Sequence, residues 1–301
     1  MLLGIHVKCF TFNKNFRKRG ATFMAYRNSE KNIEKIVEMG VNKTTYPLLK
    51  IIILGFQAGA FIALGYLLSI RVTAVLPESL AGLSSLIGAS VFPIGLILTL
   101  LVGGELLTGN MMAVPFARLA NKVQIGKVFS NWALVAVSNF MGAMFIAYFF
   151  GHIVGLTETA PYLAETVSIA EHKLEATFLQ AFISGIGCNW LVAAAVWLCY
   201  SSDDLIGKMV GIWFPTMAFV ALGFQHVVAN MFVIPAAIFT GHFTWVEYIG
   251  NFFPVLLGNA VGGSVFIAGA YWHAFKKNDI YAKKKLSNTS YPQSLAKTGE
   301  R

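Results

Sequence analysis

The sequence predicts an all-α membrane protein with six transmembrane helices, arranged as two inverted three-helix repeats in which spans two and five are broken. Its 301 residues are 56% hydrophobic and 12% charged, and the mean hydropathy is +0.64. This composition is typical of polytopic membrane proteins and not of soluble domains. A motif also recurs at a constant offset, and each copy puts polar residues into a long apolar segment.

The repeated motif occupies residues 103–115 and 223–235. Gly103, Asn110, Met111 and Pro115 recur as Gly223, Asn230, Met231 and Pro235, and Asn139 and Gly142 recur as Asn259 and Gly262. Each pair is 120 residues apart, since 230 − 110 and 259 − 139 give the same number. This is an internal duplication, of the kind found in transport proteins with inverted repeats.

Charge and cysteine content exclude several classes of function. The net charge is +9, but the lysines and arginines gather at both termini and in one short loop. That distribution fits a cytoplasmic membrane face better than a nucleic-acid partner. Cys9, Cys188 and Cys199 provide neither a disulfide framework nor metal-ligand spacing. The sequence contains no nucleotide-binding motif, metal cluster or activated nucleophile, so we expect no enzyme, no cofactor and no metal.

Residues 1–48 are predicted to be a cytoplasmic N-terminal segment. Residues 1–23 are basic and aromatic and hold no apolar core, and the purine-rich codons expected for residues 18–20 make native translation from Met24 one hypothesis. From residue 29 to about 41, apolar residues recur at helical spacing, which predicts an amphipathic helix with Ser29 as its N-cap. We expect this helix to lie along the inner membrane surface; a solvated helix is the alternative.

Residues 49–275 are predicted to form the channel domain, with repeats at about 49–151 and 176–273, followed by a basic cytoplasmic tail at 276–301. The six predicted spans cover about 49–70, 83–102 with a tail to 119, 128–150, 177–200, 209–239 with a break around His226, and 249–272. Basic residues lie at both termini and in the loop after span two, whereas the loops after spans three and five are acidic or nearly uncharged. Both termini are therefore expected in the cytoplasm.

The odd number of spans in each repeat inverts the second copy relative to the first. The two halves are then related by a pseudo-twofold axis in the membrane plane, and the two interrupted spans meet near the midplane. Non-helical backbone at membrane depth is stable only where protein buries it or where it lines a cavity. We therefore expect a permeation path where the two breaks meet.

His226 is the first candidate for the site. A histidine at membrane depth is costly unless it is paired or faces a polar path, and its counterpart in the first repeat is Leu106. The reference pKa of histidine, about 6.5, suits a side chain that offers a proton or a hydrogen bond to a small weak-acid anion. The alternative is a core histidine that a backbone carbonyl satisfies.

Four further polar residues lie in or near the breaks. Thr108 is placed to hydrogen-bond a ligand or His226, or else to cap freed backbone groups. Asn110 and Asn230 satisfy the broken backbone or touch substrate. Asn189, alone in span four, either lines the pore or bonds between helices.

Apolar residues and one lysine complete the predicted site. The residues that flank the breaks, and that form either apolar constrictions or ordinary packing, are Leu106, Leu107, Phe219 and Phe224. Lys173 is the one cation in an acidic external loop beside span four. It is expected to draw anions to the mouth of the path, unless it is an ordinary exposed lysine.

These motifs resemble the formate/nitrite transporter family. GGELLTGN at 103–110 is similar to the family's loop in the second span, and GFQHVVANMF at 223–232 to its signature around the central histidine. GCNWLV at 187–192 and EHKLEATF at 171–178 add matches, and the resemblance covers about residues 29–275. It implies an aquaporin-like six-span protomer, a homopentamer with one pore in each subunit, and passage of small monovalent anions.

The resemblance also implies roles for single residues. Thr108 and His226 match the central polar pair, Leu106, Leu107 and Phe219 the slit positions, Asn189 the pore-side asparagine, and Lys173 the lysine at the outer mouth. Gln225 departs from the pattern, because many relatives carry glutamate just before the histidine. The loss of that possible charge bears on how readily His226 is held protonated, and so on the pH range of activity.

The sequence thus predicts a pH-dependent, multi-pass channel in a bacterial cytoplasmic membrane, with formate as the favoured anion and nitrite or hydrosulfide as alternatives. Protons and membrane lipid are the other expected partners. An anion that crosses an apolar slit bears a desolvation cost on the order of several kcal/mol. Capture at Lys173 and a proton shared from His226 and Thr108 would let it cross as the neutral acid. A proton-coupled transporter of short monocarboxylates remains an alternative, as does a neutral-solute channel, although the paired Asn-Pro-Ala signature of the latter is absent.

Overall fold

The computed structural model describes residues 26–275, which form helices and connecting segments. The helices are α1 (Ser29–Thr45), α2 (Leu48–Thr73), α3 (Ala81–Val91), α4 (Ile94–Leu98), α5 (Leu107–Leu119), α6 (Ile125–Phe145), α7 (Tyr162–Leu174), α8 (Phe178–Ser201), α9 (Leu205–Ala221), α10 (Val227–Phe239) and α11 (Trp245–Val261). A 3₁₀ turn (Glu78–Leu80) precedes α3, and π-helical segments continue α4 (Thr99–Gly103), α6 (Ile146–Ile153) and α11 (Gly262–Gly269). The expectations for residues 1–23 and for the tail at 276–301 lie outside the described residues.

Five helical stretches are long and apolar enough to cross a membrane. They are Leu48–Thr73, Ala81–Gly103, Ile125–Ile153, Phe178–Ser201 and Trp245–Phe275. Two shorter apolar helices, Leu205–Ala221 and Val227–Phe239, occupy the region predicted as span five. The helix ends lie within a few residues of the predicted spans, because the apolar runs that predict a span also form its helix. The chain is a helical, multi-pass membrane protein.

The apolar face of the amphipathic helix α1 packs against other helices of the protein, a contact that the expectation of a helix along the inner membrane surface did not include. Ile33, Ile36 and Val37 are 1%, 0% and 5% exposed, and they cluster with apolar residues of α5 and α8. Protein contacts remove the narrow apolar stripe of α1 from water as effectively as lipid would. A sequence pattern alone does not distinguish these two ways of covering it.

The start of α1 is attached to the loop between α8 and α9. Asn28, and not the predicted Ser29, is the N-cap, because the Asn28 side chain accepts a hydrogen bond from the backbone three residues on. The guanidinium of Arg27 donates to both carboxylate oxygens of Asp203, at 2.5 and 2.6 Å, and to the carbonyl of Tyr200 at 2.8 Å. The hydrogen bonds from Arg27 to its carboxylate lower the pKa of Asp203.

The stretch after span three contains α7, a helix that the sequence analysis interpreted as a polar loop. This helix packs against α2, α10 and α11. Its buried residues, Thr166 and Ala170, are small and weakly apolar, so the hydrophobic periodicity that normally reveals a helix is faint here. The helix ends beside Lys173, and it therefore fixes where that side chain lies.

Glycine allows close contact within the two main helix pairs, α2 with α6 and α8 with α11. A Cβ atom at Gly142 would lie 1.9 Å from the carbonyl oxygen of Phe56, and one at Gly258 would lie 2.1 Å from that of Phe182. No side chain fits at such distances, and small residues are the usual means by which transmembrane helices approach each other. The two contacts hold α2 against α6 and α8 against α11.

We expect Gly142→Ala to destabilise the protein by about 2–3 kcal/mol, because the added methyl group forces α2 and α6 apart. Gly126→Ala, in the same helix α6, is the matched control, since a Cβ there has no atom within 4 Å. Thermal unfolding of the two variants in detergent measures the difference. Equal unfolding temperatures for Gly142→Ala and Gly126→Ala would contradict the packing described here.

Candidate functional site

Helical structure stops and restarts at two places that are related by the repeat. The first gap separates Gly103 from the start of α5, and the second separates α9 from α10. Gly103 and Gly223 have φ values of 111° and 70°, a left-handed conformation that glycine adopts without steric cost. The chain turns at each glycine, which leaves several backbone N–H and C=O groups outside the helical ladder.

A single asparagine bridges the first gap. The Oδ1 atom of Asn139 accepts the backbone N–H of Leu107 at 2.9 Å, and its Nδ2 atom donates to the carbonyls of Gly55 and Glu105 at 2.8 and 2.7 Å. Asn139 is fully buried. One side chain of α6 therefore satisfies the freed groups of the gap and ties them to α2.

Asn259 bridges the second gap in the same way. Its Oδ1 atom accepts the N–H of Val227 at 2.9 Å, and its Nδ2 atom donates to the carbonyls of Gly185 and Gln225 at 2.8 and 3.0 Å. Asn259 is also fully buried. The two breaks are thus held by equivalent hydrogen bonds, which keep irregular backbone stable without water.

Two further asparagines lie beside each gap and bond to each other. In the first half, the Nδ2 atom of Asn110 donates to Glu105 Oε2 and to Asn131 Oδ1, both at 2.9 Å. The Nδ2 atom of Asn131 donates in turn to the carbonyl of Lys43 at 3.0 Å. Asn110 therefore bonds to side chains beside the gap and not to its backbone, which differs from the expectation that it satisfies the broken backbone.

The second half repeats this arrangement with one change. The Nδ2 atom of Asn230 donates to Gln225 Oε1 at 2.7 Å and to Asn251 Oδ1 at 2.8 Å. Gln225 stands where the first half has Glu105. The carbonyl of Lys173, which Asn251 Nδ2 bonds at 2.7 Å, stands where the first half has that of Lys43.

Lys43 and Glu105 form a buried ion pair that the sequence analysis missed. The Nζ atom of Lys43 lies 2.7 Å from Glu105 Oε1, and the two residues are 7% and 3% exposed. The ion pair joins the end of α1 to the first gap. A signal for Glu105 was present, since it aligns with Gln225 in the repeat, but Lys43 lies outside the repeated motif.

Lys173 is half-buried at the end of α7 and faces the second gap. Its Nζ atom donates to the carbonyls of Gly223 and Phe224 at 3.0 and 3.2 Å, and its own carbonyl accepts Gln225 Nε2 at 3.0 Å. Burial lowers the pKa of Lys173 to about 8. It is therefore not an ordinary exposed lysine, which was the alternative.

Thr108 and His226 meet where the starts of α5 and α10 approach each other. The Oγ1 atom of Thr108 lies 3.1 Å from His226 Nε2. His226 is the N-cap of α10, and its Nδ1 atom accepts the backbone N–H of Ala229 at 3.0 Å. A nitrogen that accepts an N–H carries no proton, so the imidazole is neutral, with its proton on Nε2, and donates to Thr108.

A cavity of about 40 Å³ lies beside His226. Its walls come from α2, the residue after α3, α7, α9, the second gap and α10. They comprise Tyr66, Phe92, Lys173, Phe219, Val220, Phe224, His226, Ala229 and Asn230. About 10–15 Å³ by this measure holds one water molecule. The cavity therefore has room for a few waters or for one small anion, and it brings Lys173, Phe219, Phe224 and Asn230 together with His226.

Aromatic rings cover one side of this cavity. The ring of Phe219 stacks on that of His226, with centroids 5.5 Å apart and planes inclined by 20°. Phe92 makes an edge contact with Phe219 at 5.6 Å, and Tyr66 with Phe92 at 5.4 Å. The sequence analysis missed Tyr66 and Phe92, because neither lies in a repeated or polar motif.

The remaining predicted residues surround Thr108 and do not line the cavity. Leu106 and Leu107 are 2% and 0% exposed within the apolar core. The Nδ2 atom of Asn189 donates to the carbonyls of Asn259 and Thr108 at 2.6 and 3.2 Å. Asn189 therefore bonds between helices, which is one of the two alternatives for it.

Comparison with known proteins relates this chain to a family. The family model described as formate/nitrite transporter matches residues 30–273. An uncharacterised transporter of Bacillus subtilis, YrhG, is 54% identical over 89% of this chain and all of its own length. The formate channel BtFdhC of Bacillus thuringiensis is 50% identical over 84% of this chain and 98% of its own.

Two solved structures are also similar. One is described as an FNT family ion channel, with a TM-score of 0.76 and 27% identity over 81% of this chain and 99% of that one. The other is described as a pentameric formate channel with formate bound, with a TM-score of 0.67 and 31% identity over 76% of this chain and 98% of that one. Both similarities extend over almost the whole of the solved proteins.

We expect Asn259→Leu to destabilise the protein by at least about 3 kcal/mol, since three buried backbone groups lose their partner at about 1–3 kcal/mol each. Ser264→Ala is the control in the same stretch of helix. Its hydroxyl donates only to the Ala260 carbonyl one turn earlier, at 2.5 Å. Thermal unfolding and the yield of folded protein measure the effect. An Asn259→Leu variant as stable as Ser264→Ala would show that the bridge is dispensable.

Proposed function

Because this chain belongs to the formate/nitrite transporter family, we propose that it is a pH-dependent channel for small monovalent anions, with formate as its main substrate. Members of the family are channels and transporters and not enzymes. A relative that is 50% identical over 84% of this chain is named a formate channel. The observation that carries the proposal is the hydrogen bond between Thr108 and His226 beside a cavity that Lys173 also lines.

The proposed architecture has six spans in two inverted repeats. Span two consists of α3 to α5 and span five of α9 and α10, each broken once. The matched hydrogen bonds around Asn139 and Asn259 support the repeat, because each half forms the same contacts with equivalent residues. The correspondence between Lys43 and Lys173 extends the repeat to α1 and α7, which lie outside the predicted repeats at about 49–151 and 176–273.

The proposed location is the cytoplasmic membrane of a bacterium, with the N-terminal segment and the tail at 276–301 in the cytoplasm. The excess of basic residues at both termini and after span two favours this orientation. The similarity to a pentameric channel supports a homopentamer with a pore in each subunit. Under this arrangement Lys173 and the cavity face the outside of the cell.

Two electrostatic features favour anions near His226. The starts of α5 and α10 meet at Thr108 and His226, and a helix start carries about half a positive charge. Lys173 adds an ammonium group beside the same cavity. An anion that enters is therefore attracted by three sources of positive potential, while an equivalent cation is repelled.

His226 supplies the proposed pH dependence. In the neutral ring Nε2 donates to Thr108 and Nδ1 accepts the Ala229 N–H, so a second ring proton has to displace the helix cap. Acidification favours that protonated form, which offers formate a charged partner and a transferable proton. The side-chain oxygen Oδ1 of Asn230, a cavity residue, is buried without a hydrogen-bond partner in the described structure and is able to accept a hydrogen bond from a hydroxyl group.

Apolar groups on both sides of this centre would make an ion costly to transfer. Phe219 and Phe224 line the cavity, and Leu106 and Leu107 are buried next to Thr108. A neutral acid crosses such a constriction far more easily than its anion. Transfer as formic acid, with the proton returned on the other side, therefore accounts for the combination of basic, polar and apolar residues.

We expect proteoliposomes that contain this protein to take up radiolabelled formate faster at pH 5.5 than at pH 7.5, with competition by nitrite. His226→Phe should lower the uptake by at least about tenfold and remove most of its pH dependence, because the ring that exchanges the proton is lost. His242→Phe is the control, since His242 is exposed in the loop after α10. Uptake of nitrite or hydrosulfide without formate would change the substrate, and unchanged flux in His226→Phe from pH 5 to 8 would refute the mechanism.

We expect formate uptake by the wild type to fall between pH 7 and 9 more steeply than uptake by Lys173→Met. The pKa of Lys173 is lowered to about 8 by burial, so its ammonium is charged at pH 7 and mostly neutral at pH 9. The wild type therefore loses an attractive charge that the variant lacks throughout, and at pH 7 the variant should be slower by about tenfold. Lys127→Met, at an exposed position in α6, is the control. Parallel pH profiles for wild type and Lys173→Met would contradict this role.

A further inference from the structure

The two halves of the chain share one hydrogen-bonded frame but differ in its charge. The amides Asn110 and Asn230 occupy equivalent places, and each donates to the residue five positions earlier. That residue is Glu105 in the first half and Gln225 in the second. The first half therefore serves as an internal reference for what a carboxylate does at this position.

In the first half the carboxylate neutralises the neighbouring lysine. Glu105 Oε2 accepts Asn110, which leaves Oε1 to accept the Lys43 ammonium at 2.7 Å. Both residues are more than nine-tenths buried. Lys43 consequently contributes little net charge to its surroundings, because a buried pair at this distance acts as a dipole.

In the second half, the amide of Gln225 gives Lys173 no carboxylate partner. Gln225 Oε1 accepts Asn230, but its Nε2 donates to the Lys173 carbonyl and not to a charged group. Among the described residues, Lys173 Nζ donates only to the carbonyls of Gly223 and Phe224. Within residues 26–275 no carboxylate oxygen lies within 4.0 Å of this ammonium.

We propose that Gln225 is a positioning residue for anion capture: as an amide in place of a carboxylate, it keeps the Lys173 ammonium uncompensated beside the cavity and so sets the anion concentration at which transport half-saturates. This inference rests on the proposed anion-channel function. Gln225 is 3% exposed and is absent from the cavity lining, so it acts on the anion through Lys173 and not by contact. The full charge of Lys173 then attracts the anion across a low-dielectric space.

The test compares formate KM and maximal flux in proteoliposomes for the wild type, Gln225→Glu and Gln225→Met. Gln225→Glu recreates the pairing that Glu105 makes with Lys43, and we expect KM to rise about tenfold with a smaller change in maximal flux. Gln225→Met is the matched control, because it removes the hydrogen bonds of the amide to Asn230 and to the Lys173 carbonyl without adding charge. Its KM should stay within about twofold of the wild-type value if charge is the cause.

Three results would overturn the inference. A wild-type KM in Gln225→Glu would show that residue 225 does not control capture, and an equal KM increase in both variants would show that it acts through structure. If Gln225→Glu does not fold, Lys173→Arg and Lys173→Met decide, because the inference requires the arginine variant to keep the low KM and the methionine variant to lose it. Equal KM values in those two variants would then refute it.

Different results would refute the proposed function and this inference. If wild-type proteoliposomes pass no formate, nitrite or hydrosulfide, the anion-channel function itself is wrong. If the wild type conducts formate with normal saturation and only the Gln225 series shows no charge effect, the function stands and the role of Gln225 is rejected.

Discussion

The need to satisfy backbone hydrogen bonds inside a membrane governs this structure. Two helices are interrupted in apolar surroundings, and an unpaired peptide group there costs several kcal/mol by order of magnitude. Asn139 and Asn259 meet this need with three hydrogen bonds each, and they do so from neighbouring helices. The breaks persist because these two side chains replace the missing helical ladder, and the starts of α5 and α10 can then face each other at Thr108 and His226.

The sequence predicted those parts of the fold and site that depend on local pattern or on repetition. Apolar runs located the long helices, and the offset of 120 residues identified both breaks. Satisfying the broken backbone was an alternative given for Asn110 and Asn230, whereas Asn139 and Asn259, which recur at the same offset, form those hydrogen bonds. The packing of α1 and the existence of α7 were not predicted, because a short amphipathic or weakly apolar segment fits several environments. The pairing of Lys43 with Glu105 joins residues 62 positions apart, and no local pattern encodes such a contact.

The sequence predicted only some of the residues that line the cavity, for the same reason. His226, Phe219, Phe224, Asn230 and Lys173 belong to motifs or to an unusual charge, whereas Tyr66 and Phe92 are ordinary aromatic residues of α2 and the end of α3. Their place is decided by how three helices cross. The asymmetry of the site was visible in the sequence, since Leu106 and His226 occupy equivalent positions of the repeat. The structure adds that His226 caps its helix through Nδ1, while Leu106 has no side chain able to do so.

The contact between Arg27 and Asp203 constrains the path of the chain through the bilayer. Two side chains that touch lie on the same side of the membrane, so the number of crossings between residues 27 and 203 has to be even. Helices α2, α6 and α8 are long enough for three complete crossings. The stretch Ala81–Gly103 is the fourth candidate for a crossing between them, so the apolar stretches of this region satisfy the condition. A single surface ion pair thus requires an even number of membrane crossings between its two residues.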